Sequence, residues 1–276
     1  MRGAALLCLI AAGCAAQPSP RGGGGGIVSL NPCADAMLVE LVPPARIRAL
    51  SHYSRDPGAT SIPAAVAERF PSNHGTAEEL IALRPDIVIG DSFTSPSTRE
   101  ALARAGIRTV YLGWASTIAE SKAQLRTLAA AVDAGPAGEA MVARIDAAVT
   151  AARTDAPPVP ALLWIGGNTV SGAGTLLDEM MVAAGFSDHA AHYGLQGTGY
   201  LPIEHVIADP PRVMLVPDSA GRDASSRAAQ MRGWALARSG ARVHQARFPR
   251  SLVNCGGPVI PRAMARLAEV RRQVTP

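Results

Sequence analysis

Two segments of the sequence repeat one pattern: AEELIALRPDIVI at residues 77–89 and IEHVIADPPRVML at residues 203–215. In each segment a glutamate opens a short helical stretch, a proline closes it, and an apolar run typical of a buried strand follows. Because each copy joins a helix to a strand, the repeat predicts two α/β units of related design.

The first copy lies within a regular alternation of strands and helices. Strands are predicted at 27–30, 47–50, 87–89 and 108–112, and helices at 34–42, 77–83 and 97–105. Alternation at this short period is typical of a parallel sheet with helices on its faces. We therefore expect the first half of the chain to form an α/β lobe.

The middle of the chain breaks this alternation. Two alanine-rich helical stretches, 117–132 and 138–153, are separated by Gly135-Pro136, and no strand pattern appears between them. The alternation then resumes, with strands predicted at 161–165, 213–216 and 243–246 and helices at 176–184, 204–208, 224–236 and 261–273. The predicted fold is α/β, with two α/β lobes built on parallel sheets and a helical connector between them.

Composition excludes several classes of protein. The chain has 276 residues, 48% of them hydrophobic, which is enough for two cores, and only 17% charged, which argues against intrinsic disorder. The net charge is +4, and the basic residues are scattered rather than grouped. Because nucleic-acid binding needs a basic patch or arm, we expect no nucleic-acid partner.

The N-terminus has the features of an export signal. Arg2 precedes the apolar stretch Ala4–Ala12, which is too short to span a bilayer. Small residues before Cys14 resemble a bacterial lipobox, although Ala11 stands where leucine is usual. We therefore predict a signal peptide and lipobox over 1–16 with lipidation of Cys14; ordinary cleavage near Ala15 is the alternative. The Pro- and Gly-rich stretch 17–26 is predicted to be a flexible tether.

Besides the repeat, two further segments are informative: AGIRTV at 105–110 and LLDEMMVAAG at 176–185. Together with the repeat, and behind an export signal, they resemble the cobalamin and iron-siderophore periplasmic binding proteins of ABC importers. One departure is the turn NPCAD at 31–35, where such proteins often have Pro-Ser-x-Thr-Glu.

The resemblance implies a domain plan. Two Rossmann-like lobes are joined by a single long α-helix and enclose a ligand cleft. On this chain the N-terminal lobe would span 27–115, the helical connector 116–157 and the C-terminal lobe 158–276.

The resemblance also implies a function. The chain would be a monomeric periplasmic protein, anchored to a bacterial membrane by lipid. It would capture a cobalamin-type corrinoid or a ferric siderophore in the cleft and deliver it to an ABC permease and its ATPase, with no intrinsic cofactor, no directly bound metal and no catalytic residue. A haem- or free-metal-binding protein of the same architecture is an alternative.

An enzymatic alternative is an exported α/β enzyme that acts on a cofactor. The glycine-rich segment 167–174 (GNTVSGAG) follows a predicted strand, but it lacks the acidic residue expected after the next strand of a dinucleotide site. The sequence contains neither a Gly-x-Ser-x-Gly elbow nor a His-Glu-x-x-His motif. The sequence therefore favours a binding protein.

The predicted ligand-binding residues lie in loops after the strands, because open α/β sheets bind ligands at the carboxyl ends of their strands. Four of these loops carry an aromatic ring that could stack on a planar chelate, and Arg55 or Arg222 could pair with its carboxylates. The alternative for Phe93 and Trp114 is that they cover the edge of a core. The predicted set is Asn31, Pro32, Cys33, Tyr53, Arg55, Asp56, Ser92, Phe93, Trp114, Gly167, Asn168, Tyr200, Asp218, Arg222, Asn254 and Cys255.

Glu78 and Glu204 open the helices of the two repeat copies. The resemblance implies that they are the surface glutamates that dock on arginines of the permease. An acidic residue in the first turn of a helix is also favoured by the helix dipole alone. Glu79 is the competing choice in the first copy.

Cys33 and Cys255 each follow an asparagine or Asn-Pro after a strand, one in each half of the chain. They could form a disulfide that pins the lobes, supply thiolates to the ligand's metal, or remain free thiols. The histidines at 52, 74, 189, 192, 205 and 244 do not combine with carboxylates on the predicted cleft loops, so we do not expect uptake of a bare metal ion.

Overall fold

The first half of the chain folds around a parallel sheet of five strands. The computed structural model describes residues 25–217 and 242–274, together with Gln230 and Gly233. The strands are β1 (Ile27–Ser29), β2 (Ile47–Ser51), β3 (Ser72–Asn73), β4 (Ile87–Asp91) and β5 (Arg108–Leu112), in the order β3-β2-β1-β4-β5. The central strand β1 pairs with β2 on one side and β4 on the other, so its carboxyl end lies in the middle of the sheet edge.

The helices of this lobe are α1 (Pro32–Leu41), α2 (Ala64–Ala67), α3 (Ala77–Leu83) and α4 (Pro96–Arg104). Side chains cap the start of α1, α3 and α4, whereas α2 follows Pro63 without a side-chain cap. The Asn31 side chain accepts hydrogen bonds from the backbone amides of Cys33 and Ala34 at the start of α1. Because proline needs no amide partner in the first turn, Pro32 belongs to the helix, which begins two residues before the predicted start.

The predicted connector range 116–157 contains two helices rather than one continuous helix. Helix α5 (Ile118–Ala131) and helix α6 (Gly135–Ala152) are separated by three residues, of which Asp133 has a positive φ of 53°. The helices pack antiparallel, with Lys122 bonded to Asp146 at 2.6 Å. A Cβ at Gly138 would lie 2.5 Å from the Ala129 Cβ, so this glycine permits the close contact.

The second sheet is mixed, so the prediction of two parallel sheets is wrong for this lobe. Its strands are β6 (Val159–Gly166), β7 (Thr169–Ser171), β8 (Phe186–Asp188), β9 (Thr198–Tyr200), β10 (Val213–Val216) and β11 (His244–Arg247). The order is β11-β10-β6-β7-β9, with β8 also beside β6. Strands β8, β10 and β11 run parallel to their partners, whereas β7 and β9 are antiparallel to theirs.

The antiparallel part follows from a tight turn. Strand β6 ends at Gly166, and the next residue, Gly167, has a φ of 56°, so the chain folds back directly as β7. The glycine-rich segment 167–174 therefore contains a strand, β7. The helices of this lobe are α7 (Leu176–Ala183), α8 (His189–His192), α9 (Ile203–Ala208) and α10 (Val259–Gln273).

One apolar core runs through both lobes and the connector. Met37 of α1, Leu125 of α5, Ile145 of α6 and Met264 of α10 belong to the same buried cluster. Each buried side chain of this kind contributes about 1.5–3 kcal/mol to folding. The lobes therefore share a core at their base, which places the carboxyl ends of both sheets around one cleft.

Some predictions lie outside the described residues: the export signal with Cys14, nearly all of the tether, and most of the predicted helix 224–236. The exact lobe boundaries stay a prediction. Within the described ranges, every helix is too short or too polar to cross a bilayer.

Candidate ligand cleft

The cleft between the lobes has a cavity volume of about 480 Å³. Segments that follow β1, β4 and β5 line its first-lobe side, and the region between β6 and α7 lines the other side. The lining comprises Asn31, Cys33, Met37, Asp91, Ser92, Phe93, Leu112, Gly113, Trp114, Ala115, Ser116, Gln124, Ile165, Gly174, Thr175, Leu176, Leu177, Gly197, Thr198, Val253, Asn254, Cys255 and Gly256. Apolar side chains alternate with hydroxyl and amide groups, as in sites for small organic ligands.

A disulfide forms part of the cleft lining and joins the lobes. Cys33 in the first turn of α1 is bonded to Cys255 in the loop before α10, with 5.2 Å between their Cα atoms. Of the three possibilities for these cysteines, the structure contains the disulfide, so neither sulfur is a free thiolate for a metal. The Asn254 side chain also donates to the carbonyl oxygen of Gly58, at 3.2 Å, which ties the same loop to the first lobe.

Asp91 organises the first-lobe wall. Its Oδ2 accepts a hydrogen bond of 2.9 Å from Asn31 Nδ2, and its Oδ1 accepts one of 2.9 Å from the Phe93 amide. The Arg99 guanidinium donates to the Asp91 carbonyl oxygen at 2.7 Å. The carboxylate therefore joins the start of α1 to the loop that carries the Phe93 ring.

Two aromatic rings of this wall are exposed. Phe93 is 79% exposed and Trp114 is 73% exposed, and both contribute to the lining. Large apolar rings are usually buried, so these two are available to a ligand rather than used in the core. The alternative that they cover a core edge does not fit this exposure.

The second-lobe wall depends on the antiparallel strands. Thr175 caps α7 by accepting from the Asp178 amide, and its Oγ1 lies 2.7 Å from Ser171 Oγ. At Gly172 a Cβ would lie 2.6 Å from the Leu195 carbonyl oxygen, so only glycine fits between β7 and the segment leading to β9. These contacts place Gly174 and Thr198 at the cleft.

Seven of the predicted ligand-binding residues line this cleft: Asn31, Cys33, Ser92, Phe93, Trp114, Asn254 and Cys255. Sequence reasoning missed Asp91, because strand β4 extends two residues beyond its predicted end. The sequence did contain a signal for Asp91, because this carboxylate directly precedes the predicted cleft residue Ser92. The second-lobe residues Gly174, Thr175, Gly197 and Thr198 were missed because their position depends on pairing between β7 and β9.

Other predicted residues lie away from the lining. Pro32 heads α1, and Arg55 donates to the Phe70 carbonyl oxygen at 2.8 Å. Asp56 accepts from the Gly58 amide at 2.8 Å within its own turn, and Tyr53 packs on His52 with 4.0 Å between ring centroids.

In the second lobe, the predicted ligand-binding residues Gly167 and Asn168 form the turn between β6 and β7, and Tyr200 lies on β9. The Asn168 side chain donates to the Tyr200 hydroxyl at 3.1 Å beside Gly167, outside the cleft lining. Asp218 and Arg222 lie outside the described residues. A ligand contact for any of these residues stays a prediction.

The glutamates of the repeat both lie at the surface. Glu78 on α3 and Glu204 on α9 are exposed. Glu79 accepts a hydrogen bond of 2.8 Å from the His74 amide, so its carboxylate is already engaged. The geometry therefore favours Glu78 over Glu79 as the first-lobe counterpart of Glu204.

The histidines lie outside the cleft lining. The Nε2 atoms of His189 and His192 are 3.6 Å and 2.9 Å from Asp209 Oδ2, and the rings of His52 and His74 are stacked. In the part of the chain that the structure describes, no group of three or more His, Cys, Asp or Glu side chains is arranged to hold a metal ion.

Each lobe buries one carboxyl group with a raised pKa. Complete burial raises the pKa of Asp35 to about 7, against the opposing hydrogen bonds from Ser29, Ser54 and Ser51. Burial raises the pKa of Asp188 to about 6, against the Ala190 amide. Asp35 lies on α1, and its carboxyl group accepts hydrogen bonds from the Ser51 amide and the Ser54 hydroxyl.

Solved structures share this architecture. The heme-binding protein RhuT from Roseiflexus sp. RS-1 is 23% identical, covering 90% of this chain and 97% of its own, with a TM-score of 0.71. HutB, a heme-binding protein of Vibrio cholerae, is 18% identical with coverages of 90% and 98% and a TM-score of 0.72. The vitamin B12 binding protein BtuF of Vibrio cholerae is 19% identical, with the same coverages and a TM-score of 0.65.

At these identities the structural likeness establishes the fold, which is that of the two-lobed periplasmic binding proteins. A comparison with curated proteins gives no match. The sequence profile described as periplasmic binding protein matches residues 27–235, more than half of the chain. The chain therefore belongs to the periplasmic binding protein family.

Proposed function

We propose that this chain is the substrate-binding component of an ABC importer and that its cleft holds a planar metal chelate of the tetrapyrrole class, a haem or a corrinoid. The observation that carries the proposal is the pair of exposed rings, Phe93 and Trp114, at a cleft of about 480 Å³. The two apolar faces of a flat macrocycle can stack on such rings, whereas a purely polar site would have few groups on those faces to bind.

The family and its structural neighbours support this proposal. The neighbours are named as heme- and vitamin B12-binding proteins, and the family is one of solute-binding proteins rather than enzymes. Haem and a corrinoid stand as equal candidates, and a ferric siderophore is the third. After capture, the protein would dock on the permease through Glu78 and Glu204, while a lipid on Cys14 would hold it at the membrane.

Absorbance titration of the purified protein with haem, cobalamin and a ferric siderophore tests the ligand class. We expect saturable binding of one tetrapyrrole, and we expect Phe93→Ala or Trp114→Ala to weaken it by roughly tenfold, as loss of a stacked ring costs about 1–2 kcal/mol.

Tyr200→Ala is the matched control. Tyr200 was also predicted to bind the ligand, but its exposed ring, 66% accessible, lies outside the cleft lining, so the cleft geometry predicts that its loss leaves affinity unchanged. Binding of none of the three ligands would reject the ligand class. An equal loss in the Tyr200 variant would reject the assignment of the cleft.

A further inference from the structure

One residue, Asp91, gives the cleft its charge. Asp91 is the one charged side chain among the described residues of the lining, which otherwise offers hydroxyl, amide and apolar groups. Its carboxylate is held in place, because Oδ2 accepts from Asn31 Nδ2 and Oδ1 accepts from the Phe93 amide, both at 2.9 Å. A ligand in the cleft therefore meets a negative charge in a fixed position.

Two arginines of the first lobe that could offset this charge are used elsewhere. The Arg99 guanidinium donates to the carbonyl oxygens of Asp91 and Thr94, at 2.7 and 2.9 Å. The same group lies 4.2 Å from the centre of the Tyr111 ring. Arg55, which the sequence predicted as a partner for ligand carboxylates, lies away from the lining, as Arg99 does. Neither arginine therefore offers its guanidinium to a ligand in the cleft.

Asp91 lies beside the ring on which a macrocycle would stack. Phe93 follows Asp91 by two residues, its amide is bonded to the carboxylate, and its ring is 79% exposed. The rim of a macrocycle stacked on this ring would therefore approach the carboxylate. The groups on that rim then decide whether the contact is favourable.

The two candidate tetrapyrroles differ at their rims. Haem carries propionate carboxylates, and like-charge repulsion disfavours a carboxylate brought close to Asp91 in a cleft with little water. A corrinoid carries neutral amide side chains, whose N–H groups can donate to Asp91 in charge-assisted hydrogen bonds. A fixed carboxylate therefore favours the corrinoid rim over the haem rim.

We propose that Asp91 determines the specificity of the cleft as a charge filter, which favours a macrocycle with neutral amide side chains, a corrinoid, over one with carboxylates, such as haem. The inference rests on the proposed function and names the ligand class within it. Neutral hydroxyl groups of the lining fit the same ligand, because they can both donate to and accept from amides. They include those of Ser92, Ser116 and Thr198.

The test compares haem with haem dimethyl ester, in which both carboxylates are masked as neutral esters. Absorbance titration of the purified protein at low salt measures affinities for cobalamin, haem and the ester. Because the ester is also more apolar than haem, the readout is the change in the ester-to-haem affinity ratio on Asp91→Asn. We expect this ratio to fall by about tenfold, and cobalamin binding to weaken by roughly threefold through loss of the charge-assisted hydrogen bond.

Asn31→Ser is the matched control, because it removes the hydrogen bond to Asp91 Oδ2 but keeps the charge and a side chain able to cap α1. Its affinity ratio should equal that of the wild type, and binding of the ester shows that each variant is folded.

Three outcomes would overturn the charge filter and leave the proposed function standing. They are an unchanged ratio in Asp91→Asn, an equal change in Asn31→Ser, and a wild type that binds haem more tightly than cobalamin. Binding of none of the three ligands by the wild type would instead overturn the proposed function itself.

Discussion

The two lobes build the cleft in different ways. In the first lobe all strands are parallel, and the cleft residues Asn31, Asp91 and Trp114 come at or directly after strand ends. In the second lobe the chain folds back through β7 and β9, and the wall comes from segments 174–177 and 197–198. The rule that ligands meet the carboxyl ends of strands therefore locates residues on both sides of the cleft, but in the mixed lobe it finds Asn254 and Cys255 and misses these two segments.

The lobes are nevertheless one structure at their base. A common core and the Cys33–Cys255 disulfide cross the boundary between them. This contrast between different walls and a shared base leads to three predictions.

The largest effect is expected from the disulfide. Its removal in Cys33→Ser with Cys255→Ser should lower the free energy of unfolding by about 5 kcal/mol, because the bond closes a loop of 222 residues in the unfolded chain. Urea denaturation followed by fluorescence and circular dichroism measures the loss. If the two lobes unfold independently once the disulfide is removed, the variant should show two unfolding transitions where the oxidised protein shows one.

Oxidised and reduced wild-type protein provide the control for this comparison. Adding a reductant should shift the wild type to the midpoint of the double variant and leave the variant unchanged. Identical midpoints for oxidised and reduced wild type would contradict the prediction.

The second effect concerns the buried carboxyl groups. The pKa of Asp35 rises from 3.8 in the unfolded chain to about 7 in the fold, so the folded state binds the proton more tightly. The contribution of Asp35 to stability should therefore be greatest below about pH 4 and decrease as the pH rises to 7, by up to roughly 4 kcal/mol. Asp35→Asn should flatten this decrease, as measured by urea midpoints across the pH range.

Asp188→Asn is the matched change in the second lobe. Because the pKa of Asp188 reaches only about 6, its replacement should flatten the curve less than replacement of Asp35. A larger effect at Asp188 would show that the second lobe, and not the first, controls the pH dependence.

The smallest effect tests the antiparallel wall. Gly172→Ala should destabilise the protein by about 1–3 kcal/mol, because the new Cβ would meet the backbone oxygens of Leu195 and Gly197 at 2.6 and 2.8 Å. Gly113→Ala in the first-lobe wall has no atom within 4 Å of the new Cβ and should change stability by less than about 0.5 kcal/mol. Thermal denaturation compares the two, and equal melting temperatures would argue against the tight pairing of the second wall.

Much of the fold could be predicted because its signals are local. The apolar runs at 108–112 and 213–216 match β5 and β10 residue for residue, and the helix predicted at 77–83 matches α3. Short elements such as β3, β8 and β9 carry too few residues for a periodic pattern, so they were missed. The break between α5 and α6 was visible at Gly135-Pro136, but the resemblance favoured one helix.

Local signals in the sequence are sufficient for the repeat, the alternation of helices and strands, and the position of the glutamates at the head of each repeated helix, because helix caps, proline and apolar periodicity act within a few residues. Tertiary packing is needed to establish that Cys33 bonds to Cys255, that Asp91 holds the Phe93 loop, and that the second sheet is mixed. Those features join residues distant in sequence or depend on which strands pair, and both are set by how the lobes pack around their common core.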